Sequence, residues 1–149
     1  MGRKILVPLD GSAGSEAVLP TVAELARAEG ARIRLLHVAP PRVDAVVAAG
    51  RVVVYADQES ARIEHELLDY LKKAAASLRG VEVEPAVRFG DPVKEIVNEA
   101  ESARVDLIAM ATHRRTGVRR FLKGSVAERV ERATSTPVLL VRYGARVAA

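Results

Sequence analysis

Ile5-Leu6-Val7-Pro8-Leu9-Asp10-Gly11-Ser12 is a short apolar run closed by a turn signal. An aliphatic run of this length reads as a buried strand, and Asp-Gly-Ser marks its end. Helical spacing follows, with Ala17, Val18, Val22, Leu25 and Ala26 recurring on one face before Gly30. Pro20 lies inside this segment, so it either kinks the helix or stands near its start. Residues 33–38 read as a second strand, stopped by Pro40-Pro41. Residues 39–57 fit no element well and read as a long crossover loop with some local structure. Ile63, Leu67, Tyr70, Leu71, Ala74 and Leu78 then mark a long amphipathic helix ending at Gly80.

The alternation continues to the end of the chain. Val81, Val83 and Val87 mark a third strand. Asp91-Pro92 is an N-cap followed by proline at the first helical position, with Val93, Ile96, Val97 and Ala100 as the buried face. Residues 105–110 form a nearly all-apolar fourth strand. Ser125 and Glu128 have capping-box spacing and open a helix containing Val126, Val130 and Ala133. Residues 138–141 give a fifth strand. Apolar strands separated by helices predict an α/β fold with a parallel sheet covered on both faces and right-handed crossovers. The expectation is one doubly wound α/β/α sandwich of five strands over residues 1–149, with 144–149 as a loose tail.

The chain has 149 residues, 49% apolar and 28% charged, which excludes wholesale disorder. It has no cysteine, so disulfides, thiolate metal sites and cysteine nucleophiles are excluded. No apolar run reaches the length of a membrane span. The few apolar residues before Asp10 are too short for a signal peptide's hydrophobic region, and the expected location is the cytoplasm. The net charge of +4 is concentrated. Residues 112–123 hold Arg114, Arg115, Arg119, Arg120 and Lys123 and no acid, while the rest of the chain sums to −1. A basic loop on a near-neutral body points to a local anion site more than to a nucleic-acid surface.

Ligands of open parallel sheets bind beyond the carboxyl ends of the strands, where strand order reverses. Three segments answer to that position: 8–12 after the first strand, 37–40 after the second and 110–125 after the fourth. Gly124 and Ser125 open the last helix, whose free N–H groups and dipole can hold an anion at the backbone of Gly124, Ser125, Val126 and Ala127.

With these pieces in order, the sequence resembles the universal stress proteins. The resemblance is carried by ILVPLDGS (5–12), LLHVAPP (35–41), DLIAMATHRRTG (106–117), FLKGSVAERV (121–130) and TPVLLVR (136–142). It implies a Rossmann-like sheet in the order 3-2-1-4-5 and a homodimer through the last strand, bounded by Pro137 and Arg142. It also implies one of two branches. One branch binds ATP through Gly-x2-Gly-x9-Gly-Ser/Thr, and the other lacks both pattern and nucleotide. Here the pattern reads Ala111-Thr112-His113-Arg114, nine residues, then Gly124-Ser125. The closing Gly-Ser is intact, and the first two glycines are alanine and arginine.

The site implied by the resemblance comprises Pro8, Leu9, Asp10, Val38, Met110, Ala111, His113, Arg114, Gly124, Ser125, Val126 and Ala127. It would take ATP or another adenine nucleotide, with Mg2+. Asp10 reads as a turn residue on its own chemistry, and by resemblance as a neighbour of ribose or metal. Val38 and Met110 read as core, and by resemblance the Val38 backbone meets the adenine. His113 reads as a solvated loop histidine or a phosphate contact. No histidine pair has metal-ligand spacing, and no catalytic triad or carboxylate pair is recognisable. Glu64, Glu66, Glu99 and Glu101 read as solvated helix charges. An efficient enzyme is not expected, at most weak ATP hydrolysis. The leading reading is a regulatory protein that binds an adenine nucleotide. The alternative is a dimer without nucleotide that acts through an unidentified protein partner. Nucleic-acid binding is disfavoured by a chain with only five aromatics and no stacking motif.

Overall fold

A computed structural model describes residues 2–41, 47–48, 51–52, 56–113 and 126–143. The strands are β1 (Lys4–Pro8), β2 (Arg32–Ala39), β3 (Val47–Ala48), β4 (Arg51–Val52), β5 (Val83–Phe89), β6 (Leu107–His113) and β7 (Val138–Tyr143). The helices are α1 (Leu19–Glu29), α2 (Ala56–Ala75), α3 (Pro92–Ser102) and α4 (Val126–Ala133), and a 3-10 turn spans Ser15–Val18. Five strands form one parallel sheet in the order β5-β2-β1-β6-β7. Numbered among themselves, these strands run 3-2-1-4-5, as expected. In the 39–57 stretch, β3 and β4 make a small antiparallel pair.

Strand alternation sends odd and even residues of β1 to opposite faces. Val7, Leu9, Ile33 and Leu35 pack with Val18, Val22 and Ala26 of the first helical segment and Leu71 of α2. Leu6, Leu36, Ile108 and Met110 pack with Ile96 and Ala100 of α3 and with Ala127 and Val130 of α4. Leu6, Ile33, Leu35, Leu36 and Ile108 are fully enclosed, because both faces of the sheet are covered.

The helix boundaries follow the local chemistry. Pro20 falls in the first turn of α1, where its missing N–H costs no helix bond, so the helix starts beside it and is not kinked there. The helix ends at Gly30, whose φ of 65° is left-handed, and the Ala31 N–H returns to Ala26 O at 2.9 Å. Asp91 caps α3 by accepting from the Lys94 N–H at 2.9 Å. α4 begins at Val126, one residue after the expected cap Ser125, which lies outside the described residues.

Glu99 corrects one sequence expectation. It is 4% exposed, not a solvated charge. The Nε groups of Arg34 on β2 and Arg88 on β5 both donate to its carboxylate. Arg34 also donates to Glu84 and Arg88 to Glu95, each at 3.0 Å. The helical spacing of α3 turns Glu99 inward between two sheet arginines, and pairing makes the burial affordable. Glu101, Glu64 and Glu66 are exposed as expected.

Candidate functional site

The strand order reverses between β1 and β6, and there the ladder is shortest. β1 and β2 are joined through five residue pairs, up to Pro8 opposite Leu36. β1 and β6 pair only at Ile5–Leu107 and Leu6–Ile108, although β6 continues to His113. The cause is Pro8. The Leu9 N–H donates to Leu36 O at 2.8 Å, so Leu9 and Val7 direct their backbone polar groups toward β2. By alternation Leu6 and Pro8 face β6, and proline has no N–H to continue that ladder. The two strands are released from each other at their carboxyl ends, which opens a crevice.

The turn after β1 forms one wall. Gly11 has φ 92°, a conformation that a side chain would strain. Asp10 Oδ1 accepts from the Ser12 N–H at 2.8 Å and from Ser12 Oγ at 2.6 Å. Ser15 Oγ accepts from the Asp10 N–H at 3.2 Å and donates to Ser12 O at 2.9 Å. Partial burial pushes the Asp10 carboxyl up, but these hydrogen bonds outweigh it and hold the group below the usual carboxylate range. Asp10 is therefore an anion at neutral pH in a loop fixed by its own serines.

The end of β2 flanks β1 on the side away from β6. His37 Nδ1 lies 2.9 Å from Leu9 O, and its ring meets Tyr70 of α2 edge-on, with centroids 6.2 Å apart and an interplanar angle of 77°. The Tyr70 hydroxyl donates to Glu16 Oε2 at 2.6 Å. Burial and this hydrogen bond push the Tyr70 phenol up, so it stays protonated.

The family model of the universal stress protein family matches residues 1–142. The chain belongs to the universal stress protein family. Universal stress protein YxiE of Bacillus subtilis is 30% identical over 148 residues, 95% of this chain and 100% of that protein. The solved structure of protein MJ0577 of Methanocaldococcus jannaschii has a TM-score of 0.74 at 28% identity, covering 100% of this chain and 99% of that one. A universal stress protein crystallised in complex with cAMP shares the fold, with a TM-score of 0.69 at 22% identity over 95% of this chain and 97% of that one.

On the universal stress protein fold, the expected site residues divide into four sets. Pro8 ends β1 and Leu9 and Asp10 follow it, and Val38 is half-buried near the end of β2. Met110, Ala111 and His113 lie along the second half of β6, beyond its pairing with β1. Met110 and Ala127 are side chains of the α3/α4 core, and Val126 is 38% exposed at the start of α4. Arg114, Gly124 and Ser125 lie outside the described residues. Sequence reading missed His37, Tyr70 and Glu16 as a connected set. The available signal was parity: His37 shares the face of Ile33 and Leu35, a polar ring at a core-facing strand position. Among the described residues no group of acidic or histidine side chains has the arrangement of a metal site, and no helix is long and apolar enough to cross a membrane.

Proposed function

We propose that this chain is a cytoplasmic, single-domain regulatory protein that binds an adenine nucleotide in the crevice between β1 and β6. The observation that carries the reading is the early end of the β1–β6 ladder at Pro8, which opens the sheet at its reversal point beside Asp10, with Val38 across β1 at the end of β2. Asp10 is ionised and held in place, which suits a ribose hydroxyl or a nucleotide-bound Mg2+. Phosphates would meet the start of α4, where Val126 and Ala127 follow Gly124 and Ser125, with the arginines of residues 114–120 supplying charge. The relative crystallised with cAMP supports an adenine nucleotide as the ligand class. Binding without efficient hydrolysis fits an Asp10 carboxylate already engaged by Ser12.

Ala111 and Arg114, standing where the ATP-binding pattern has glycines, favour a second reading: a dimer that lacks nucleotide and acts through a protein partner. Two measurements separate them. Mass spectrometry of the denatured protein should release an adenine nucleotide, and calorimetric titration should show ATP binding that weakens at least tenfold in Asp10→Ala. No carried nucleotide and no heat with millimolar ATP would leave the partner-binding dimer as the account.

A further inference from the structure

We infer that His37 is a positioning residue that keeps the Val38 N–H open past the end of β1 by drawing Leu9 O, the carbonyl this amide would otherwise bond, out of line toward the His37 ring. The inference rests on the nucleotide reading for its ligand, but not for its geometry.

A parallel ladder advances by fixed steps. The Leu9 N–H donates to Leu36 O, so the next bond would run from the Val38 N–H to Leu9 O. The ladder instead stops at Pro8 opposite Leu36, and His37 Nδ1 stands 2.9 Å from Leu9 O. A carbonyl can only accept, so Nδ1 carries a hydrogen and donates it to Leu9 O. The ring is held from behind by the Tyr70 edge, and Tyr70 is tied to Glu16 on the turn that follows the Asp10 loop. On the other side β2 bonds β5 through alternate residues, Ile33 to Glu82 O and Ala39 O to the Gly90 N–H. By that alternation the Val38 N–H and C=O face away from β5, past the end of β1. Among the described residues no acceptor meets the Val38 N–H. One residue thus offers a donor and an acceptor side by side, which match a ring nitrogen and the adjoining amine of an adenine edge.

The test follows amide exchange in the ligand-free 15N-labelled protein and ATP affinity by calorimetry. In the wild type the Val38 amide should exchange faster than those of Leu36 and His37. His37→Phe keeps ring volume and the Tyr70 contact but has no donor. Leu9 O is then released, the Val38 N–H closes on it, its protection rises about tenfold or more, and ATP affinity falls about tenfold. His37→Asn, whose amide nitrogen sits where Nδ1 did, should keep both near wild type. His37→Leu repeats the deletion if the Phe variant does not fold. A residue that merely stabilised the fold would lower protection at Val38 when removed, so unchanged or reduced protection overturns the inference, as does a slowly exchanging Val38 in the wild type. If the wild type binds no ATP, the nucleotide reading fails while the exchange measurement still decides the role of His37.

Discussion

Tyr143, the last residue of the edge strand β7, lies against the α-carbon of Gly14 in the loop after β1: a β-carbon at Gly14 would collide with the Tyr143 hydroxyl and ring. The ring is the far end of a side chain, so it and not the backbone should give way. Gly14→Ala and Tyr143→Ala are each expected to cost about 1 kcal/mol. They break the same contact, so the double variant should cost little more than either alone. Urea unfolding of the four proteins tests this. Fully additive losses would mean that the ring is not displaced.

Glu99 gives the sharpest stability prediction. Glu99→Gln leaves Arg34 and Arg88 without their shared charge, and breaking a buried pair costs roughly 3–5 kcal/mol. Both arginines keep a second acid, Glu84 and Glu95, so the low end, about 3 kcal/mol, is expected. Burial pushes the Glu99 carboxyl up, but the hydrogen bonds and charges of Arg88 and Arg34 prevail and hold it below the usual glutamate range. A carboxyl lowered in the folded state stabilises the fold above its unfolded value of about 4.3, and that stability is lost as pH falls through the folded value. Denaturant midpoints measured between pH 7 and pH 3 should therefore fall more steeply for the wild type than for Glu99→Gln.

The fold was legible because β1, β6 and β7 are short, mostly aliphatic runs bounded by a turn or proline, and each helix repeats its apolar face at three- and four-residue intervals. Asp91-Pro92 gave the start of α3 from two residues. Glu99 was not legible. A glutamate on a helix carries no mark of burial until the sheet places Arg34 and Arg88 beneath it. The crevice was legible as a location, since Pro8 and Asp10 close the first strand, but the reason it opens required knowing which way the Pro8 backbone faces. The link from His37 to Tyr70 joins residues 33 apart in sequence across a crossover, a distance that no local pattern spans.

The outer edge of β7 predicts how the proposed dimer can be broken without harming the protomer. Ile108 N–H donates to Pro137 O, so residues 139, 141 and 143 face β6, and the N–H groups of Val138, Leu140 and Arg142 point outward. Arg142 is exposed. Arg142→Pro removes one outward donor and no bond to β6, a position where proline is tolerated on an edge strand. If two copies pair through this strand, sedimentation at micromolar concentration should shift from dimer toward monomer, with the circular dichroism spectrum unchanged. An unchanged dimer would place the interface elsewhere.

Arg114 decides between the two functional readings. It stands where the ATP-binding pattern has its second glycine, in a stretch of sequence with four further basic residues, outside the described residues. A glycine there serves either a left-handed backbone or the close approach of a phosphate. In the first case a side chain costs roughly 1–2 kcal/mol, or about 5- to 30-fold in affinity. In the second the guanidinium must swing aside before phosphate can reach the backbone. Both routes weaken binding, and neither needs the arginine itself, because Arg115, Arg119, Arg120 and Lys123 still supply charge. Arg114→Gly is therefore expected to tighten ATP binding about tenfold in calorimetric titration, with thermal stability unchanged. AMP, which carries one phosphate in place of three, should gain less. A variant that binds ATP more weakly, and loses more for ATP than for AMP, would show instead that the guanidinium holds phosphate and that this chain exchanged a backbone cradle for a charged side chain.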